Sequence, residues 1–158
     1  MSSKVRTKQP NSRHCFACGL ENDYGLGMTF YEIDDGRVLA KYSVPENFQG
    51  FPGIVHGGIV FTMLDEVLGR VTMVEDHTKF TMTAKVEVRF RKPVPIGEPL
   101  QIVGKVDRRR GRFSFASAEL RLPDGSIAAE AMGLMAEVPD QTMEAEQLEA
   151  LGWKVYPD

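Results

Sequence analysis

The sequence predicts a single α+β domain in which an antiparallel sheet wraps around one buried helix. Three patterns carry this prediction. Apolar residues recur at three- and four-residue spacing over 57–76, apolar and polar residues alternate over 82–91, and turn formers separate several short strand-like segments. With 158 residues, 42% of them hydrophobic and 26% charged, the chain is long enough for one sizeable core. The order of two strands, one helix and four strands is typical of this class.

Two strands are predicted before the helix, over residues 26–33 and 37–44. The turn formers Asp34, Asp35 and Gly36 lie between them and favour a hairpin. A loop rich in glycine and proline follows at 45–56 and leads into the helix. Residues 1–13 show no periodicity, so we expect a flexible N-terminal tail there.

The strand after the helix is predicted from its period of two. Its covered face comprises Met82, Ala84, Val86, Val88 and Phe90, and its polar face comprises Thr83, Lys85, Glu87, Arg89 and Arg91.

Three more strands, Leu100–Asp107, Arg112–Leu122 and Ser126–Val138, should form an antiparallel meander with turns at Arg110-Gly111 and Asp124-Gly125. A terminal helix over 141–152, with Thr142 as N-cap and Gly152 as its stop, should pack on the outside. The predicted division is therefore a tail at 1–13, a domain at 14–139 and a C-terminal helix and tail at 140–158.

Association between chains is expected from the sheet itself. One curved sheet around one helix leaves two edge strands and part of its outer face uncovered. Covering that surface with further copies predicts a homodimer or homotetramer.

Charge and cysteine content exclude several classes of protein. The net charge of −3 gives no electrostatic reason to bind nucleic acid, and no stretch is apolar enough to predict a secretory signal or a membrane span. We therefore expect a cytoplasmic protein without a membrane partner. Cys15 and Cys18 form a CxxC pair, but no second pair exists and His56 and His77 are remote in sequence, so no metal is predicted.

The glycines before the helix suggest where chemistry could occur. The amides of Gly57, Gly58 and Ile59 begin the helix and could stabilise a developing oxyanion, or the glycines could simply permit a tight turn. His56 could bind a substrate carbonyl or organise the loop. Gln49 could position a water molecule or a thioester oxygen, or serve as a turn partner.

Asp65 is an acidic residue in an otherwise apolar helix. It is either solvated at the edge of the helix or faces a cleft, where a carboxylate could activate water or attack a carbonyl. Thr83 could place its hydroxyl in the same cleft or be an ordinary strand residue. Glu66 precedes Arg70 by four residues, which predicts a surface ion pair. Seven residues, about 10 Å of helix rise, separate Gly58 from Asp65, so a shared substrate requires two chains.

Basic residues around two turns could contact the phosphates of an anionic ligand. The candidates are Arg89, Arg91 and Lys92 together with Arg109, one of several arginines on a hairpin expected to neighbour them. The alternative is that these side chains only solvate the surface.

Several motifs together resemble a known family. FQGFPGIVHGG, followed by LDE and by TMTAKVEVRFRKPVPIG, is similar to the PaaI-like branch of the hotdog thioesterase superfamily. CFACGLENDYGLGM resembles the N-terminal segment of bacterial relatives, and the similarity covers about residues 14–138. The resemblance implies a hotdog fold and hydrolysis of an acyl-coenzyme A thioester, with coenzyme A as part of the substrate and no separate cofactor.

The resemblance also implies roles for individual residues. Asp65 would act as general base or nucleophile, Gly58 of the partner chain would donate its amide to the thioester oxygen, and His56 and Thr83 would position substrate or water. Phe61, Met63, Met73 and Met82 could line an acyl tunnel or simply pack in the core. Two alternatives stay open: a non-catalytic protein that binds acyl-coenzyme A or a hydrophobic ligand, and a hotdog dehydratase.

Overall fold

The structure is a computed structural model that describes residues 5–139 and 143–158. It confirms the predicted α+β fold, with a seven-stranded antiparallel sheet against one long helix. The elements in chain order are β1 (Val5–Lys8), β2 (Tyr31–Ile33), β3 (Val38–Tyr42), α1 (Gly57–Arg70), β4 (Thr81–Phe90), β5 (Leu100–Arg110), β6 (Phe113–Arg121), β7 (Ile127–Glu137) and α2 (Ala145–Ala150).

The strands lie in the order β1-β2-β3-β5-β6-β7-β4, so β4 forms one edge of the sheet and β1 the other. Both predicted substructures form: β2 pairs with β3, and β5, β6 and β7 make the meander. The β2–β3 connection is a short 3-10 turn, in which Asp35 and Gly36 have positive φ angles of 69° and 77°. Aspartate and glycine tolerate that conformation better than most residues.

The long helix α1 packs against the sheet by one fully buried face. Val60, Met63, Leu64, Val67 and Leu68 lie on this face, each 2% exposed or less. Burial of a side chain of this size contributes about 1.5–3 kcal/mol, so this face is a major source of stability.

Two sheet glycines allow α1 to approach closely. A Cβ at Gly104 would lie 2.6 Å from Val67 Cγ1, and one at Gly133 would lie 2.8 Å from Leu68 Cδ1. A larger residue at either position would therefore push the helix away from the sheet.

Residues 5–13 differ from the mobile tail expected at the N-terminus. Val5–Lys8 forms β1 against β2, and Gln9 and Asn11 are both fully buried. The Asn11 side chain donates to the carbonyl oxygens of Cys18 and Met28, both at 2.8 Å. Hydrogen bonds of polar side chains and of the backbone hold this segment against the rest of the domain. Such bonds leave no apolar periodicity in the sequence, so the pattern of apolar residues does not predict them.

The C-terminal helix is shorter than predicted. Helix α2 is capped by Glu144, whose side chain forms a reciprocal capping box with Gln147, and Leu148 is its buried residue. The predicted cap, Thr142, lies outside the described residues. Gly152 follows the helix with a φ of 95°, as the predicted stop requires. Among the described helices, none has the length and apolar character needed to cross a membrane.

Candidate active site

Asp65 and Thr83 form a hydrogen-bonded pair between α1 and β4. The Thr83 hydroxyl donates to Asp65 Oδ1 at 2.8 Å. Both residues line a cavity of about 410 Å³. Of the alternatives open from the sequence, the structure therefore has Asp65 facing a cleft, with Thr83 beside it.

A β-bulge explains why Thr83 points towards α1. Thr83 lies opposite Met135 and Lys85 lies opposite Leu134, so Ala84 is an extra residue without a partner. The bulge puts Thr83 on the same side of the sheet as Val86. The strict alternation predicted for this strand is thus wrong at its start, and Met82, expected on the covered face, is 64% exposed.

The amides at the start of α1 have three different environments. Gly58 N–H donates to His56 Nδ1 at 2.9 Å, and Ile59 N–H donates to the His56 carbonyl oxygen at 2.9 Å. The Gly57 amide has no hydrogen-bond partner among residues 5–139 and 143–158. The donor expected at Gly58 is therefore occupied by the His56 cap in this chain, and the neighbouring amide of Gly57 is the available one.

His56 and Gln49 both take the structural roles considered for them. His56 is the N-cap of α1, which satisfies one of the amides that a helix leaves unpaired at its start. Gln49 Oε1 accepts from the Gly53 amide at 3.0 Å and holds the preceding loop. Gln49 is not among the residues that line the Asp65 cavity.

The two ends of α1 align with the two ends of β4. Near the helix start, a Cβ at Gly57 would lie 3.8 Å from Cε1 of Phe90, and two turns later Asp65 contacts Thr83. The available amide and the carboxylate are thus separated along the helix within one chain, by eight residues or about 12 Å of helix rise.

The Asp65 cavity is lined by both polar and apolar side chains and is built partly by the C-terminal segment. Its apolar lining comprises Met73, Phe80, Met135, Leu148, Leu151 and Trp153. Of the four tunnel candidates, only Met73 lines it. Met63 is fully buried in the core, and Phe61 and Met82 are exposed on the surface.

The basic residues lie at opposite ends of the sheet. Phe90, just before Arg91 and Lys92, pairs with Ala129, whereas Phe113 at the arginine-rich hairpin pairs with Ala136. These partners are seven residues apart on β7, a separation of about 23 Å. The prediction that these basic residues lie on neighbouring hairpins is therefore wrong within one chain.

Two of the basic candidates are engaged by acidic neighbours. Arg91 forms a 2.6 Å ion pair with Glu130, and this hydrogen bond lowers the pKa of the Glu130 carboxyl. Arg89 lies 3.9 Å from Glu87. Arg109 lines a separate pocket that shares no lining residue with the Asp65 cavity.

The predicted ion pair between Glu66 and Arg70 forms, with 3.0 Å between Oε1 and Nε, but it is not a surface pair. Arg70 is 2% exposed, and its guanidinium lies over the rings of Phe30 and Trp153, at 4.3 and 5.0 Å from their centroids. Burial of the cation makes its acidic partner structurally important.

Glu66 also approaches the two cysteines. The thiol sulfurs of Cys15 and Cys18 and a carboxylate oxygen of Glu66 all lie within 4.8 Å of one another. A hydrogen bond between the two side chains lowers the pKa of the Cys15 thiol to about 6 and raises the pKa of Cys18. Sequence reasoning missed this cluster because about fifty residues separate the cysteines from Glu66.

Comparisons with known proteins agree with this arrangement. Residues 52–129 match the family model of the thioesterase superfamily. This match covers just under half of the chain and agrees with the superfamily implied by the sequence motifs. The antiparallel sheet against one long helix confirms the implied hotdog fold. The matched range includes α1 and β4, which carry Asp65 and Thr83.

Three similar proteins illustrate the relationship. Bovine acyl-coenzyme A thioesterase THEM4 is 30% identical over 132 residues, which is 82% of this chain and 54% of the relative. The crystal structure of the thioesterase superfamily protein RHA08564 has a TM-score of 0.73 at 32% identity, over 78% of this chain and 60% of that one. The protein smu.793 of Streptococcus mutans, crystallised with acetyl coenzyme A, has a TM-score of 0.64 at 19% identity, over 70% and 88%. The chain thus spans about half the length of its curated relative.

Proposed function

We propose that this protein hydrolyses an acyl-coenzyme A thioester to a free acid and coenzyme A. The observation that carries the proposal is a carboxylate, Asp65, oriented by the Thr83 hydroxyl at a cavity that six apolar side chains help to line. An acyl group needs apolar contacts, and thioester hydrolysis needs a base or nucleophile beside it. The similarity to a named acyl-coenzyme A thioesterase supports the same substrate class.

Asp65 would promote hydrolysis of the thioester in one of two ways, and in the first way water attacks the carbonyl carbon and coenzyme A leaves as a thiolate. Asp65 Oδ1 accepts the Thr83 hydrogen bond, which leaves Oδ2 to receive a proton from an attacking water molecule. Alternatively, Oδ2 attacks the carbonyl carbon directly, coenzyme A leaves as a thiolate, and water hydrolyses the resulting anhydride. In both routes Thr83 holds the carboxylate in one orientation.

The developing oxyanion requires a donor that α1 of the same chain does not place beside Asp65. We propose that a partner chain supplies the amide of its helix start, through Gly57 in place of the expected Gly58. The Gly57 amide has no partner in the described part of the chain, whereas His56 occupies that of Gly58. A free amide at a helix N-terminus is suited to a negative charge.

The edge strand β4 provides a way to assemble this site. It is ten residues long and exposes Met82 and Phe90, at 64% and 57%. Antiparallel pairing of two β4 strands about their midpoint would place Thr83 of one chain opposite the partner's Val88, two residues from the partner's Phe90. Because Asp65 lies beside Thr83 and Gly57 lies beside Phe90, the carboxylate and the amide would meet across the dimer.

The same pairing would move the basic residues to one end of a joint sheet. Arg89, Arg91 and Lys92 of one chain would lie at the end that carries the partner's Arg109. We propose these residues as contacts for the coenzyme A phosphates, since guanidinium groups bind phosphate with good geometry. A cytoplasmic location and a homodimer or homotetramer remain part of the proposal.

Replacement of Asp65 by Asn tests the proposal directly. Loss of a general base or nucleophile should lower kcat by about 10²- to 10⁴-fold with a panel of acyl-coenzyme A substrates and a thiol reagent. The matched control is Asp107→Asn, because Asp107 lies on β5 and contacts Ser117. Activity retained by Asp65→Asn, with the control also active, would contradict the assigned role.

The apolar part of the cavity lining also favours a second candidate, a protein that binds acyl-coenzyme A or another hydrophobic ligand without turnover. Such a protein would bind members of the same panel but release no thiol with any of them. Calorimetric binding in the absence of hydrolysis would therefore replace the first proposal with this one.

A further inference from the structure

The cysteine turn near the N-terminus is built to present two thiols on one side. Gly19 N–H donates to the Cys15 carbonyl oxygen at 2.7 Å and closes the turn, and the Cys18 amide approaches Cys15 Sγ at 3.5 Å. A Cβ at residue 19 would lie 2.4 Å from the Cys15 carbonyl oxygen, so the turn requires glycine there. Backbone N–H groups directed at a thiolate are the usual outer support of a cysteine metal ligand.

Helix α1 brings a third ligand group to this turn. A carboxylate oxygen of Glu66 and the two thiol sulfurs all lie within 4.8 Å of one another. Glu66 Oε1 accepts the Arg70 hydrogen bond, and Oε2 has no partner within the described ranges. The hydrogen bond from Arg70 holds the carboxylate of Glu66 in one orientation.

A bound divalent ion would leave the cluster without a net charge. Two thiolates and one carboxylate would carry three negative charges, and Arg70 supplies one positive charge at 3.0 Å from Glu66. A divalent ion would make the set neutral in a region where Cys18 is 1% exposed.

We propose that Cys15, Cys18 and Glu66 bind a thiophilic divalent metal ion, of which zinc is the best match. Two thiolates and a carboxylate suit zinc, whereas magnesium and calcium require oxygen ligands alone. The fourth position would face the cavity that Cys15, Cys18 and Glu66 share with Asp65, where water can occupy it. The ion would fasten the N-terminal segment to α1 and takes no part in the proposed hydrolysis.

This site departs from the expectation of no metal, which rested on the cysteines and histidines alone. The sequence predicts an ion pair between Glu66 and Arg70. In the structure Glu66 forms this ion pair and also lies close to the two cysteines. The proposal does not depend on thioesterase activity, because its test measures bound metal.

The test is metal content of the full chain after incubation with zinc and removal of free ions. Wild-type protein should retain close to one zinc per chain, and cobalt in its place should give a thiolate-to-cobalt charge-transfer band. The variants Cys15→Ser, Cys18→Ser and Glu66→Gln should each retain below about one tenth of an equivalent. Glu75→Gln, an exposed carboxylate outside the cluster, should keep the wild-type content.

Two controls keep the outcome clear. Circular dichroism establishes that each variant folds, and the cobalt spectrum of wild-type protein requires no variant at all. Wild-type protein that retains less than about one tenth of an equivalent would overturn the proposal. Full metal content in the folded Cys15→Ser variant, or a Cys15–Cys18 disulfide in freshly prepared wild-type protein, would overturn it as well.

Discussion

The start of α1 offers a backbone donor without a partner, whereas its third turn carries a carboxylate already oriented by a hydroxyl. Gly57 N–H has no acceptor in the described ranges, and Asp65 Oδ1 accepts from Thr83 at 2.8 Å. One end can stabilise negative charge and the other can generate a nucleophile. The amide and the carboxylate lie too far apart on one helix to act on the same carbonyl group. A second copy of the chain would bring the amide of one helix to the carboxylate of the other.

After the loss of Asp65 itself, the largest effect on this comparison should come from loss of the free amide. Gly57→Pro removes the N–H at the first helical position, where proline fits, and the extended conformation of His56 is compatible with a following proline. Loss of one oxyanion donor should lower kcat by about 10²- to 10³-fold. Steady-state kinetics checks this result.

The control for that variant is Gly57→Ala, which keeps the N–H and places its Cβ at an ordinary 3.8 Å from Phe90. It should retain most of the activity. Equal activity of the proline and alanine variants would show that the Gly57 amide plays no part.

A smaller effect is expected at the other end of the helix. Thr83→Val removes the hydroxyl that orients Asp65, and a hydrogen bond to a charged group is worth about 1.5–3 kcal/mol. We therefore expect kcat to fall by about 10- to 100-fold with little change in KM. Thr78→Val, which removes a loop hydroxyl bonded to Asp76, is the matched control. A Thr83→Val variant with the same kcat as the control would contradict the orienting role of Thr83.

The smallest effect should be on stability. His56→Ala removes the cap of Gly58 N–H and should lower the free energy of unfolding by about 1 kcal/mol. Urea denaturation measures this change. An unchanged free energy of unfolding would mean that the cap contributes nothing to stability. A loss of kcat much larger than this loss of stability explains would indicate that His56 contacts the substrate directly.

Local patterns in the sequence predicted most of the framework around these two ends. The spacing of Val60, Met63, Leu64 and Val67 predicted α1, and all four are buried. The turn at Gly125 predicted the hairpin between β6 and β7, and its φ is 84°. These features depend on neighbours in sequence, which is why periodicity and turn chemistry detect them.

The features that escaped prediction depend on residues far apart in the chain. The bulge at Ala84 arises from the register between β4 and β7, and it decides that Thr83 faces Asp65. The approach of Glu66 to Cys15 requires the N-terminal segment to cross α1. The separation of Arg91 from Arg109 follows from strand order, which alternation along one strand does not specify.

The most direct test of a site shared between two chains is complementation. Co-expressed Asp65→Asn and Gly57→Pro chains, each inactive alone, should form mixed dimers with one intact site. With random pairing, about one quarter of wild-type activity should return. If no activity returns although mixed dimers form, the carboxylate and the amide do not act across the interface, and the account of the site is wrong.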